Sequence, residues 1–261
     1  MNFELNDLVW SYDSGTPFEK IGLNCQSFCI NAGNLVGLLG ATGSGKSTFV
    51  KLIAGLLDNK IRIRANGISL RPVDVSYIFQ QPEHQLFEDT VSRELEFALK
   101  NFDISEDLWP SLISNSLRNC DLDDSFLDRH PLELSGGQRR RVAIASVLVY
   151  KPKILILDEP LAGIDAGCSM KLINTMRSYV NSETLVLWVS HDHEALLEWA
   201  DKAILFEDQS IKFMGSVSES IARCNVADPL FRNFLKGRLQ TSTIVNGPEV
   251  IEELRGKNNA C

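Results

Sequence analysis

The sequence lacks a long hydrophobic run, an excess of basic residues and any paired cysteine motif. Its best apolar run is Leu35-Val36-Gly37-Leu38-Leu39, far short of the roughly 18 residues that a membrane-spanning helix needs. Lysine and arginine number 26 against 34 acidic residues, a net charge of −8, which argues against duplex nucleic acid as a partner because phosphate binding depends on clustered cations. The 6 cysteines lack the spacing of a zinc site, so we expect reduced thiols in a cytosolic protein. The start is acidic where a secretion signal would be basic and then apolar, so we expect any membrane contact to come through a partner.

The alternation of segment types predicts the fold class. Short apolar runs alternate with longer helical patterns along the 261 residues, which is typical of an α/β fold with a largely parallel sheet. The candidate buried strands are 35–39, 75–79, 154–157 and 185–189, and a final hairpin is predicted over 203–213.

Other stretches depart from this alternation. Strand signals stop between about 83 and 152, where apolar residues at helical spacing predict an inserted helical subdomain. Near the N-terminus, Asn66-Gly67 predicts a tight antiparallel turn. After residue 216 glycine and proline break short helical pieces, so the predicted organisation is a main domain over 1–215 and an extension over 216–261.

The strongest motif is the glycine-rich loop Gly40-Ala41-Thr42-Gly43-Ser44-Gly45-Lys46-Ser47. It follows an apolar strand and precedes the helical pattern Thr48–Leu57, which is the context that a phosphate-binding loop requires. Glycines let backbone N–H groups wrap around phosphate oxygens, and the helix N-terminus adds partial positive charge. We expect Lys46 to reach the β- and γ-phosphates and Ser47 to ligate Mg²⁺.

A second motif ends the apolar strand Ile154–Leu157 with Asp158 and Glu159. The carboxyl ends of strands form the edge where ligands bind in open α/β sheets. Asp158 would hold Mg²⁺, and Glu159 is the candidate base that orients and deprotonates an attacking water. Taken alone, the same pair is compatible with a helix N-cap.

A third motif, Leu134-Ser135-Gly136-Gly137-Gln138, precedes a helical pattern. It is compatible with a serine-capped helix start, and it also has the features of a second anion site. Since the chain has two phosphate-binding motifs but one nucleotide-binding loop, the simplest arrangement is two chains facing head to tail, each covering the other's nucleotide.

Together these motifs resemble those of the ATP-binding subunits of ABC transporters, over roughly residues 1–215. The resemblance implies a P-loop NTPase (RecA-like) core with an antiparallel β subdomain, an inserted helical subdomain and a small C-terminal extension. It also implies ATP and Mg²⁺ as ligands, and ATP hydrolysis coupled to transmembrane transport.

Four further positions match this family one by one. Gln80 resembles its Mg²⁺-sensing glutamine, and Asp165 resembles the key residue of its loop that contacts the opposite subunit. His191 resembles the histidine that hydrogen-bonds the γ-phosphate, and Tyr12 the aromatic residue that stacks on adenine. Without the family, Tyr12 would be a strand-edge aromatic and His191 a structural histidine.

The resemblance thus assigns roles residue by residue. The residues implied to bind nucleotide are Tyr12, Gly40, Thr42, Gly43, Ser44, Gly45, Lys46, Ser47, Thr48, Ser135, Gly136, Gly137, Gln138 and Asp165. The residues implied in catalysis are Glu159, His191, Gln80 and Lys46, and those implied to bind Mg²⁺ are Ser47, Gln80 and Asp158. The arginines 139–141 predict a solvated or acid-paired helix face rather than a nucleic-acid site.

The segment Gln81–Phe87 resembles the short glutamine-bearing helix of energy-coupling factor importers, with Glu83 where that group usually has aspartate. The tail segments 228–231 and 247–254 resemble its C-terminal extension. This branch implies a second ATPase subunit, a transmembrane coupling protein and a membrane substrate-binding subunit as partners, no nucleic acid, and a peripheral position on the cytoplasmic membrane face. Its solutes are transition-metal ions or vitamins. A conventional ABC importer or exporter ATPase, or a soluble ABC-type ATPase, are the alternatives.

Overall fold

The computed structural model describes residues 2–57, 63–65, 68–69, 74–161 and 166–240. The strands are β1 (Asn2–Tyr12), β2 (Lys20–Asn31), β3 (Asn34–Leu39), β4 (Ile63–Ala65), β5 (Ile68–Ser69), β6 (Val75–Ile78), β7 (Ile154–Asp158), β8 (Leu185–Val189), β9 (Lys202–Glu207) and β10 (Ser210–Gly215). The helices are α1 (Lys46–Ile53), α2 (Val91–Asn101), α3 (Trp109–Asn119), α4 (Gly136–Leu148), α5 (Ala166–Tyr179), α6 (His193–Trp199), α7 (Val217–Arg223) and α8 (Pro229–Gln240). Described residues before 70 and after 186 form one compact unit, and those from 74 to 186 form a second.

The first unit contains an antiparallel sheet in the order β2-β1-β4-β5. Beside it, β3 pairs in parallel with β9, and β9 pairs antiparallel with β10. The fully buried Phe49 of α1 contacts two strands, since its ring centroid lies 5.8 Å from that of Phe28 and 5.1 Å from that of Phe206. Packing of these rings fixes α1 at the end of β3.

The second unit pairs β6 with β7 in parallel, with Tyr77 opposite Ile156. From Pro82 to Leu148 it contains helices, turns and short 3₁₀ segments and no strand. Thr90 caps α2 by accepting a hydrogen bond from the Arg93 N–H, which satisfies one of the free donors at the helix start. The helices bury apolar side chains such as Leu95 and Leu117, and this burial is what stabilises them.

The α/β class predicted from the alternation is confirmed, as are the strands and the final hairpin. The helix after the glycine-rich loop ends at Ile53 rather than Leu57, because Gly55 takes a φ of 70° that a helix cannot continue. The predicted turn at Asn66-Gly67 lies outside the described residues, although β4 and β5 on either side pair antiparallel. The tail segment 247–254 also lies outside them, and the domain boundary at 215 stays a prediction.

Candidate functional site

The first unit carries the glycine-rich loop between β3 and α1. Gly40 has a φ of 141°, and a Cβ there would lie 2.3 Å from the backbone oxygen of Phe206. Gly43 and Gly45 have φ values of 80° and 108°. Because an L side chain rarely adopts these angles, the sequence needs glycine for this closed path.

Lys46 lies inside the loop with a 5% exposed side chain. Its Nζ donates hydrogen bonds to the Gly40 oxygen at 2.6 Å and the Ala41 oxygen at 2.9 Å. The Ser44 hydroxyl is buried and has no hydrogen-bond partner. A buried ammonium group and an orphaned hydroxyl are both satisfied by anionic oxygens, so the loop fits a phosphate group.

Tyr12 ends β1 with a 47% exposed side chain. Its hydroxyl lies 3.1 Å from Thr48 Oγ1, and its ring meets that of Trp10 edge-on at 4.2 Å between centroids. Gly22 makes room for the ring, since a Cβ there would lie 2.8 Å from Tyr12 Cε2. Tyr12 is therefore a strand-edge aromatic whose ring is held beside the first turn of α1.

His191 follows β8 in the same unit and is exposed. The next residue, Asp192, caps α6 by accepting a hydrogen bond from Ala195 N at 2.9 Å. Burial lowers the pKa of His193, and the nearby His191 and Lys46 lower it further. The negative charge of Asp192 opposes this lowering.

In the second unit, β7 ends in Asp158. The Tyr77 hydroxyl donates a hydrogen bond to Asp158 Oδ2, which orients the carboxylate. Burial raises the pKa of Tyr77, and the hydrogen bond to Asp158 and its negative charge raise it further. Tyr77 therefore stays protonated and remains a donor at neutral pH.

Glu159 follows in a left-handed backbone conformation with a φ of 48°. A non-glycine residue in this region costs about 1–3 kcal/mol and persists where the surrounding structure enforces it. The side chain is half-buried. Six other described non-glycine residues also have a positive φ, so this strain by itself assigns no role to Glu159.

Ser135 forms the start of α4 together with Gln138. The Ser135 hydroxyl accepts from Gln138 N at 3.3 Å, and the Gln138 side chain accepts from Ser135 N at 3.0 Å. The two hydrogen bonds form a capping box, so α4 has the serine-capped start that the sequence allowed. Gly136 has no atom within 4 Å of a Cβ position, so the approach to the helix N-terminus is unobstructed on that side.

Gln80 follows β6 with an exposed side chain, and a 3₁₀ helix begins two residues later at Pro82. Its backbone oxygen accepts a hydrogen bond from Arg140 Nη2 at 2.9 Å. Arg140 is only 6% exposed, so of the two predicted possibilities, solvated or acid-paired, this residue shows the second. Its Nη1 lies 4.0 Å from Glu83 Oε2.

The predicted site residues divide between the units. The glycine-rich loop, Tyr12 and His191 lie in the first, and Gln80, Asp158, Glu159 and the Ser135–Gln138 motif lie in the second. Asp165 lies outside the described residues.

Sequence reasoning assigned no contact with the site to three residues that hydrogen-bond to site residues: Tyr77, Arg140 and Gln209. Gln209 Nε2 donates a hydrogen bond to the oxygen of Gly43, far away in the chain, at 3.0 Å. None of the three belongs to a motif, and their contacts depend on which segments the fold brings together.

Within the described ranges, none of the helices combines the length and the apolar character that crossing a membrane requires.

Comparison with known proteins gives consistent matches. The profile of the ABC transporter family matches residues 23–162. The energy-coupling factor transporter ATP-binding protein EcfA3 of Oenococcus oeni is 36% identical over 231 residues, covering 84% of this chain and 80% of that protein. EcfA2 of Thermotoga maritima is 37% identical over 238 residues, covering 88% of each.

Solved structures are similar as well. The cbiO1 protein of Clostridium perfringens, described as part of the ABC transporter complex cbiONQ, has a TM-score of 0.72 and 25% identity, covering 91% of this chain and 94% of that one. An ATP-binding cassette, solved as a post-hydrolysis dimer with ADP and phosphate, has a TM-score of 0.65 at 23% identity, covering 82% of this chain and 98% of that one, and it shares the fold.

Proposed function

The chain belongs to the ABC transporter family of ATP-binding proteins, and on this premise we propose that it is the ATP-hydrolysing subunit of an energy-coupling factor importer. The observation that carries the proposal is the glycine-rich loop closed around the buried Lys46. The importer branch is supported by the names of the relatives and by the 3₁₀ helix at Pro82–Gln85, which begins two residues after Gln80.

Nucleotide binding uses two groups of residues in the first unit. Tyr12 stacks on adenine, a contact that contributes about 1–3 kcal/mol for aromatic–base pairs. The backbone N–H groups from Gly40 to Thr48 surround the phosphates, and Lys46 neutralises the β- and γ-phosphate charge. Lys46 exchanges its bonds to the loop carbonyls for bonds to phosphate oxygens.

Mg²⁺ would be held by Ser47, Gln80 and Asp158. These side chains offer hydroxyl, amide and carboxylate oxygens, the donor types that Mg²⁺ prefers. When bound, Mg²⁺ supplies positive charge to the phosphate oxygens during transfer. Tyr77 orients the Asp158 carboxylate for this role through its hydrogen bond.

Hydrolysis depends on Glu159 and His191. Glu159 accepts the proton of the attacking water, and His191 donates a hydrogen bond to the γ-phosphate and holds it in line. The water oxygen forms a bond to the γ-phosphorus as the bond between that phosphorus and the bridging oxygen breaks, leaving ADP and phosphate.

A second ATPase subunit, either another copy or a paralogue, completes each nucleotide site. The N-terminus of α4 faces the γ-phosphate of the nucleotide that the partner binds, and it is formed by Ser135, Gly136, Gly137 and the capping residue Gln138. This contact excludes water and stabilises the charge that develops during hydrolysis. Asp165 contacts the partner in the same arrangement.

The remaining partners lie in the membrane. A transmembrane coupling protein binds near the segment Gln81–Phe87, and a membrane substrate-binding subunit selects the solute, a transition-metal ion or a vitamin. The chain is then peripheral, on the cytoplasmic face.

The catalytic assignment is tested with Glu159→Gln, which retains shape but removes the base. We expect ATP binding to be unchanged, turnover to fall by about 10²–10⁴, and a closed dimer to accumulate on size-exclusion chromatography with ATP. Glu183→Gln makes the same chemical change at an exposed turn residue and should behave as wild type. Normal turnover in Glu159→Gln would remove Glu159 from its assigned role.

The transport branch is tested by affinity purification from native membranes followed by mass spectrometry. Recovery of a coupling membrane protein with a small integral substrate-binding protein is the expected result and identifies the solute class. Recovery of two ordinary permease subunits with an external binding protein would move the chain to the conventional importers and would leave the ATPase assignment intact.

A further inference from the structure

The turn between β9 and β10 contains a glutamine at a position whose backbone geometry does not favour it. Glu207 pairs with Ser210 across the hairpin, so Asp208 and Gln209 form the turn, with φ values of 49° and 55°. Two-residue hairpins of this kind favour Asn-Gly, because both central residues need a positive φ. Glutamine in the left-handed region is unfavourable, so local backbone preference does not explain Gln209.

Tertiary contacts give Gln209 a different role. Its side-chain Nε2 donates to the oxygen of Gly43 at 3.0 Å, and its backbone oxygen accepts from Asn24 N at 2.7 Å. Its Cα lies 3.3 Å from the position that a Cβ on Gly45 would take. The turn is therefore anchored on β2 and contacts the glycine-rich loop at two points.

Gln209 contacts the loop at Gly43, a position where few other atoms pack against the loop. No atom lies within 4 Å of a Cβ position on Gly43. A cavity of about 320 Å³ separates parts of the loop from the turn, and it is lined by Gly40–Ser44, Phe206–Gln209 and Cys224–Val226. With open space on this side, a hydrogen bond is an effective restraint on the loop.

The restraint acts on a peptide group that matters for phosphate binding. The carbonyls of Gly40 and Ala41 are held from inside the loop by Lys46, whereas the Gly43 carbonyl is held from outside by Gln209. Because a peptide group is planar, fixing the Gly43 oxygen also fixes the direction of the Ser44 N–H, which donates to the Ala41 oxygen at 3.1 Å. Gln209 therefore supports this turn of the loop from outside, and a loop that left the turn would misdirect the N–H groups that bind the phosphates.

We propose that Gln209 is a positioning residue of the phosphate-binding loop: its side-chain amide holds the Gly43 carbonyl and keeps the loop in its binding conformation. This inference rests on the proposed function, since the loop it positions is the one assigned to ATP. It explains why a long amide side chain occupies a turn position that glycine would fill with less strain.

The test separates strain from positioning. Gln209→Met keeps the length and the strain but removes the donor, and Gln209→Gly removes the donor and relieves the strain. We expect both variants to weaken binding of a fluorescent ATP analogue about three- to tenfold, the effect of one neutral hydrogen bond. The KM for ATP should rise by the same factor, with kcat at saturating ATP within about twofold of wild type.

Asp208→Gly is the matched control, because it relieves the same kind of strain one residue earlier. Urea unfolding should show midpoints at or above wild type for Gln209→Gly and Asp208→Gly, while Asp208→Gly should bind the analogue like wild type. Wild-type affinity in both Gln209 variants would overturn the positioning role and leave the ATPase assignment intact. Weakened binding in Asp208→Gly would also overturn it, since turn flexibility would then be the cause. A wild-type protein that binds no nucleotide would overturn the proposed function and this inference with it.

Discussion

Arg140 on α4 is a buried cation whose removal should destabilise the second unit. Its Nη2 donates to the backbone oxygens of Gln80 at 2.9 Å and Pro160 at 2.5 Å, and its Nη1 lies 4.0 Å from Glu83 Oε2. The side chain of Arg140 is 8% exposed and that of Glu83 is 20% exposed. One guanidinium group thus ties α4 to the backbone following β6 and to that following β7.

The effect of Arg140→Met follows from these contacts. Hydrogen bonds to a charged group contribute roughly 1.5–3 kcal/mol each, and removing one partner of a buried pair costs about 3–5 kcal/mol. Burial lowers the pKa of the guanidinium, and the Glu83 carboxylate opposes that effect. The cost of burying the charge therefore offsets part of the stability that these contacts provide. We expect a net loss of about 3 kcal/mol.

Urea unfolding followed by far-UV circular dichroism measures this loss. With an m-value near 3 kcal/mol/M, the midpoint should fall by about 1 M. Arg118→Met is the matched control, because the Arg118–Asp124 pair spans 3.8 Å with side chains 66% and 52% exposed, and such surface pairs contribute about 0–1 kcal/mol.

Two results would refute the reasoning. A midpoint for Arg140→Met as close to wild type as that of Arg118→Met would show that the buried contacts contribute nothing net. A double variant with Glu83→Gln whose loss equals the sum of the single losses would show that Glu83 and Arg140 do not interact energetically.

Three further predictions concern other parts of the chain. Gly40→Ala should abolish detectable binding of an ATP analogue, because the new Cβ would collide with the backbone of Phe206. Gly55 also has a positive φ but has open space around a new Cβ, so Gly55→Ala should cost only about 1 kcal/mol of stability and bind the analogue normally. Equal binding by both variants would contradict the steric argument. Burial lowers the pKa of His193 below its usual 6.5, so its contribution to stability is present above pH 6.5 and is lost as the pH falls through the folded-state pKa; His193→Gln should lose less stability than wild type between pH 7 and 5 in urea titrations, and parallel losses would rule the effect out. Burial raises the pKa of Cys120 to about 12, so iodoacetamide should modify the exposed Cys29 and spare Cys120 until urea is added, as read by mass spectrometry; early labelling of Cys120 would contradict its burial.

Much of the fold could be predicted because its signals are local. The apolar strand before Gly40 and the helix after it are specified by neighbouring residues, and so is the cap that Ser135 and Gln138 form on α4. The final hairpin follows from alternation around a polar turn. The roles of Glu159 and His191 came from motif order, which needs no knowledge of packing, and they stay predictions.

The sequence by itself therefore determined the fold class, the phosphate-binding loop and the family. Tertiary structure decided which residues hold that chemistry in place. Tyr77 reaches Asp158 because β6 and β7 pair in parallel with Tyr77 opposite Ile156. Arg140 is buried because α4 packs on the segment after Gln80. The sequence alone does not indicate which of the three consecutive arginines 139–141 is the buried one. Gln209 meets Gly43 across 166 positions, and contacts at that separation depend on packing, which short-range patterns do not encode.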